Sequence, residues 1–127
     1  MKRIFLRMLA WSALFYSLSG SAAEAPFNQA QFDAAIAAGK PVVVDFWAGW
    51  CPVCRAQKPV LTSILQTPEM AGVTMFVADF DAAHELKKSL RVTGQSTLVV
   101  FKNGKEVARS SGQTQAEPLR ALLRQAL

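Results

Sequence analysis

The chain has 127 residues, enough for one domain and too few for two. With 51% apolar and 18% charged residues it is neither disordered nor low in complexity, and two cysteines exclude a disulfide-scaffold fold. Three of its fourteen positive charges sit at Lys2, Arg3 and Arg7; without the first 23 residues, 11 basic residues face 9 acidic ones, a dispersed balance that gives nucleic acid no footprint.

The front of the chain reads as an address. A basic start is followed by an apolar stretch, Met8 to Leu18, and then by the small residues Ser19 to Ala23. That layout predicts a secretory signal over 1–23, cut after Ala23, with Ala25 as the near alternative. The apolar stretch is about a dozen residues, short of the ~20 that span a bilayer, so an uncleaved anchor is the weaker reading. A domain over 24–127 would then work in an oxidising compartment, the periplasm or another exported location.

From there helical and strand signals alternate. Asn28 to Ala38 is expected to be a helix, with Asn28 as cap, Phe32, Ala35, Ile36 and Ala38 as apolar face, and Gly39 past its end. Pro41 to Trp47 is a continuous β-prone run, as in a strand buried on both faces. Pro52 to Gln66 is helical, with a kink expected at Pro59. Val73 to Phe80 follows as a strand and Ala82 to Leu90 as a short helix. Thr97 to Lys102 and Lys105 to Ser110 are strands joined by Asn103-Gly104, a strong hairpin signal. A last helix runs to Leu127, with Thr114 and Glu117 spaced as a capping box. The order predicts an α/β domain: a mixed four-stranded sheet, parallel where crossover helices intervene and antiparallel at the terminal hairpin, with helices on both faces.

The chemistry lies in Trp50-Cys51-Pro52-Val53-Cys54, where a strand hands over to a helix. Cys51 falls at the helix N-terminus, whose free N–H groups and dipole favour a thiolate, the nucleophile of thiol–disulfide exchange. Cys54, one turn on, faces the same side and can resolve a mixed disulfide. Two other uses compete. A structural disulfide here would close only a few residues and tie nothing distant together. A zinc site would want four ligands, against two thiols and one distant histidine, His84. A CxxC beside a β-α-β pattern favours the redox pair.

The residues 39–48 (Gly-Lys-Pro-Val-Val-Val-Asp-Phe-Trp-Ala), Trp-Cys-x-x-Cys at 50–54, Pro59, and Thr-Leu-Val-Val-Phe-Lys-Asn-Gly-Lys at 97–105 resemble the thioredoxin family in order and spacing. The resemblance covers nearly all of 24–127. It implies the thioredoxin fold and a thiol–disulfide oxidoreductase whose redox-active disulfide Cys51–Cys54 needs no added cofactor or metal. It makes Cys51 the attacking thiol and Cys54 the resolving thiol. Asp45 corresponds to the family's buried carboxylate; burial should raise its pKa and fit it to take the Cys54 proton. Trp50, Gln95, Ser96 and Gly112 are expected to border the groove where an extended substrate segment lies.

Three departures stand out. Ser96 occupies the position of the family's cis-proline. Its peptide is then either trans or a costly non-proline cis bond, and its hydroxyl can bond a thiolate or a substrate backbone. It also opens the dithiol, so a thiol-based metal carrier using Cys51, Cys54 and Ser96 is the alternative of a different class. Val53 brings no histidine between the thiols, which favours a reductase over a strong oxidase, with oxidase or isomerase as a third reading. The lysine common near the family's buried carboxylate is missing, with Val77 about there. The implied partners are disulfide-containing proteins and a membrane thiol transporter as electron donor, the protein itself being a monomer.

Overall fold

The computed structural model describes residues 22–127. The expected signal at 1–23 therefore lies outside the described residues except for Ala22 and Ala23. Ten elements follow: β1 (Ala23–Pro26), α1 (Gln29–Ala37), β2 (Val42–Trp47), α2 (Pro52–Leu65), a 3-10 turn (Pro68–Met70), β3 (Thr74–Asp79), α3 (His84–Leu90), β4 (Thr97–Lys102), β5 (Lys105–Ser111) and α4 (Ala116–Arg124).

Among the described residues the sheet has five strands, not the four expected, in the order β1-β3-β2-β4-β5. The extra strand is the edge strand β1, parallel to β3 with Ala23 opposite Thr74 and Pro26 opposite Val77. Four residues reading Ala-Glu-Ala-Pro carry neither β-branching nor alternation; their strand geometry comes from pairing with β3. β2 and β3 are parallel, as the α2 crossover requires, while β2–β4 and β4–β5 are antiparallel.

The alternation of β2 divides the core. Val42, Val44 and Phe46 face α1 and α3 with Phe32, Phe76, Val99 and Phe101. Val43 faces α2 and α4 with Leu61, Ile64, Met75, Leu98, Leu119 and Leu123. A run buried on both faces is therefore what the unbroken Val-Val-Val signalled. Asp45 lies on the same face as Val43, under α2, the only charged residue among the buried ones of the described residues.

Local signals held in most places. The Asn28 side chain accepts from Gln31 N–H at 2.9 Å, and Gly39 takes φ +67° just past α1. Asn103 and Gly104 take φ 52° and 79°, as a two-residue hairpin turn of the twisted type requires. Two expectations fail. The Thr114–Glu117 capping box does not form: α4 starts after Gln115, and the Gln113 side-chain oxygen instead accepts from Thr114 and Gln115 N–H at 3.0 and 2.9 Å. Ala38 is exposed and lies beyond α1, so its apolar face is Phe32 with Ala35 and Ile36 alone. Pro59 sits inside α2, which runs unbroken from Pro52 to Leu65.

Candidate active site

β2 delivers the chain to the surface at Trp47, and Ala48 to Trp50 turn it into α2. Cys51 is the N-cap of that helix, with Pro52 in the first helical position, where a missing N–H costs nothing. The Cys51 Sγ accepts the Cys54 backbone N–H at 3.2 Å. A sulfur thus does the work usually left to a serine or aspartate oxygen, and does it best as a thiolate.

Ser96 completes the arrangement. Its Oγ lies 3.5 Å from Cys51 Sγ and 3.5 Å from Cys54 Sγ. A hydroxyl has one proton and two lone pairs, so it can donate to the Cys51 sulfur, while the single Cys54 S–H proton can go either to it or to Cys51. Burial pushes Cys51 up, but hydrogen bonds from the Cys54 thiol, the Ser96 hydroxyl and the Cys54 and Val53 backbone outweigh it and hold this thiol below its ordinary range. Cys54 moves the other way: burial and its bond to Cys51 keep its proton on. One thiol is charged easily and its neighbour is not, which is the asymmetry an attacking and a resolving thiol need.

The bond before Ser96 is trans, and no cis peptide occurs among the described residues. Ser96 is instead left-handed at φ 59°, uncommon for a residue with a Cβ. Tertiary bonds hold it there. Its N–H donates to Phe46 O at 2.8 Å, and its carbonyl accepts Gly112 N–H at 3.1 Å. The Gln57 amide adds a contact to the same carbonyl at 3.3 Å and donates to Gln113 O at 2.6 Å. A proline could neither take this φ nor donate to Phe46. Gln57, 1% exposed, was missed by the sequence reading. Its signal was available: it is the one polar member of the buried stripe Cys54, Gln57, Leu61, Ile64, Leu65.

Asp45 is 2% exposed, and its Oδ1 has no hydrogen-bond partner. Burial pushes its pKa up to about 7, against a lowering by Lys58 and a smaller raising by Glu24. A carboxyl group titrating near neutrality can take a proton and return it. The cation beside it is Lys58, which arrives from α2, whereas Val77 of β3 stands opposite Asp45 in the sheet.

The other expected site residues divide. Gly112, exposed at φ 76°, and half-buried Gln95 flank Ser96 in the chain or through its backbone bond. Trp50 is 59% exposed rather than part of the core, and its ring N–H is anchored on Asp81 Oδ2 at 2.7 Å. Asp81 is a second residue the sequence reading missed, 31 positions away. Both cysteines are 1% exposed. Among the described residues no group of three or more His, Cys, Asp or Glu is placed to hold a metal ion.

This geometry has many relatives. The family model for thioredoxin matches residues 24–125. The chain belongs to the thioredoxin family. It is 38% identical to a thioredoxin of Mycobacterium bovis over 90 residues, 71% of this chain and 74% of that one. It is 35% identical to a thioredoxin of Alicyclobacillus acidocaldarius over 96 residues, 76% of this chain and 90% of that one. Among solved structures it is similar to Trxlp from Edwardsiella tarda, at 39% identity and a TM-score of 0.78 over 80% of this chain and 98% of that one. As a thioredoxin-family member it is a thiol–disulfide oxidoreductase with the thioredoxin fold, and the cysteine pair is its reactive couple.

Proposed function

We propose that this thioredoxin works outside the cytosol as a reductase of protein disulfides. The Cys51 thiolate attacks a substrate disulfide, forms a mixed disulfide and releases the first substrate thiolate. Cys54 gives its proton to Asp45 and attacks Cys51 Sγ. The Cys51–Cys54 bond forms, the mixed disulfide breaks, and the second substrate thiolate leaves with the electron pair. A membrane thiol transporter then returns two electrons and one proton, restoring the Cys51 thiolate and the Cys54 thiol, and Asp45 releases the proton it took. The setting rests on the basic, apolar, small-residue order of 1–23, which fits a cleaved secretory signal.

The observation that carries the direction is what lowers Cys51. The groups holding it down are hydrogen-bond donors, Cys54, Ser96 and two backbone amides, with no cationic side chain among them. A thiolate held only by such bonds is less stabilised than one facing a full positive charge, and a less stabilised reduced form makes a better reductant. Equilibration of the Cys51–Cys54 couple with dithiol and glutathione buffers tests this. A potential below about −230 mV supports the reductase; one near about −120 mV makes it an oxidase and overturns the reading. N-terminal sequencing of the chain from an exported fraction should begin at Glu24. A purified protein fully oxidised in cells that retain the transporter would count against that donor.

A further inference from the structure

Three hydrogen bonds hold the Ser96 backbone, and two of them join it to other backbone: its N–H donates to Phe46 O at 2.8 Å and its carbonyl accepts Gly112 N–H at 3.1 Å. The third comes from Gln57, the one side chain among the described residues that bonds this backbone. Gln57 Nε2 lies 3.3 Å from Ser96 O and 2.6 Å from Gln113 O. An amide nitrogen carries two protons, one for each carbonyl, so the orientation is fixed: turned over, the group would set an oxygen against two oxygens. That orientation leaves Gln57 Oε1 buried without a hydrogen-bond partner. Such an acceptor weakens a fold, and an apolar side chain of similar size would continue the buried stripe of Leu61, Ile64 and Leu65 on α2. Core packing therefore does not account for a glutamine here, and a role in the chemistry does.

We propose that Gln57 is a positioning residue for thiol–disulfide exchange, holding the Ser96 hydroxyl within reach of both sulfurs. It makes no hydrogen bond to either sulfur and acts through Ser96. Cys54 and Gln57 stand three residues apart on the buried face of α2. One helix thus carries the resolving thiol and grips the residue whose Oγ lies 3.5 Å from Cys51 Sγ and from Cys54 Sγ. The second amide proton anchors the glutamine on Gln113, whose own side chain accepts Thr114 and Gln115 N–H ahead of α4. Ser96 at φ 59° needs the grip, because a residue with a Cβ disfavours that backbone conformation. Without Gln57 the hydroxyl shifts from the sulfurs, and the Cys51 thiolate loses a donor.

The test is the rate of iodoacetamide alkylation against pH for Gln57→Met, which keeps the length of the side chain and loses both donors, alone and combined with Ser96→Ala. Gln57→Met should raise the Cys51 midpoint by on the order of half a pH unit, and should add nothing once the Ser96 hydroxyl is gone. No charged side chain is among the groups holding the Cys51 thiol down, so the midpoint reads hydrogen bonding. A glutamine that serves structure alone would give no shift, or the same shift in both backgrounds, and either result overturns the proposal.

A measurement on the wild-type protein does not depend on the variants folding. In 15N NMR the Gln57 side-chain amide protons should exchange with solvent about a hundredfold more slowly than those of exposed Gln31. Equal exchange rates would mean that Gln57 holds nothing. The proposal rests on exchange at Cys51 and not on its direction: a potential that made the protein an oxidase would sink the reductase reading and leave this coupling in place.

Discussion

β4 has two ends, and a left-handed residue stands at each. At the far end Asn103 and Gly104 turn the chain into β5. Both residue types accept positive φ at low cost, and the turn sits at the surface. At the near end Ser96 takes almost the same φ, yet it is 4% exposed and belongs to a type that pays for that conformation. One end follows local preference. The other defies it, held by a bond to the Phe46 carbonyl and by bonds from Gly112 and Gln57, and its hydroxyl lies between two sulfurs. Strain and an unpaired buried carboxylate gather at the end that does the chemistry.

The comparison can be broken by exchanging stability for activity at each end. Cys51→Ser should abolish disulfide turnover while the fold survives, which insulin reduction and circular dichroism together would read. A retained turnover would remove the site end from the chemistry altogether.

Asp45→Asn comes next. A carboxyl group that holds its proton more tightly folded than unfolded contributes stability below the unfolded value near 3.8 and loses it as pH rises through about 7. The native protein should therefore lose on the order of 3–4 kcal/mol between pH 4 and pH 8, a span set by that three-unit rise. The Asn variant should show a flat profile by urea unfolding, and resolve mixed disulfides about a hundredfold more slowly near pH 7. A wild-type profile without this slope would mean that Asp45 is not protonated in the folded state at mild acidity.

Ser96→Ala should deprive the Cys51 thiolate of one donor at roughly 1.5 kcal/mol, raising its titration midpoint by about one unit. The rate of iodoacetamide alkylation against pH measures it. Ser96→Gly should lose the same donor and also recover about 1 kcal/mol of stability, because glycine accepts the left-handed backbone. If the two variants are equally stable, Ser96 is not strained.

The smallest effect belongs to the far end. A Cβ at Gly104 would meet Ile36 O at 3.2 Å, and φ there is 79°. Gly104→Ala should cost about 1–2 kcal/mol with no change in the Cys51 midpoint. A change in that midpoint would join the two ends and dissolve the contrast.

Much of this was legible before any coordinates. The β-branched run of β2, the Asn103-Gly104 turn, the Asn28 cap and the placement of Cys51 and Cys54 at a strand-to-helix junction rest on neighbours within a few residues. Local sterics and side-chain period settle such features, so a reader of the chain can find them. β1 was invisible because nothing in Ala-Glu-Ala-Pro favours a strand until β3 offers an edge. The α4 capping box misled because Gln113, itself tied to Gln57, reached the free N–H groups first.

The redox-active cysteine pair and the family fold that presents it could be read along the chain, because the cysteine motif, the strand runs and the hairpin are short-range patterns. The tuning of that pair comes from contacts between segments far apart in sequence. The hydroxyl of Ser96 reaches sulfurs 42 and 45 residues away, and Lys58 meets Glu24 across 34. Hydrogen bonds and Coulomb forces act through ångströms of space, and those distances exist only once the sheet has brought remote segments together.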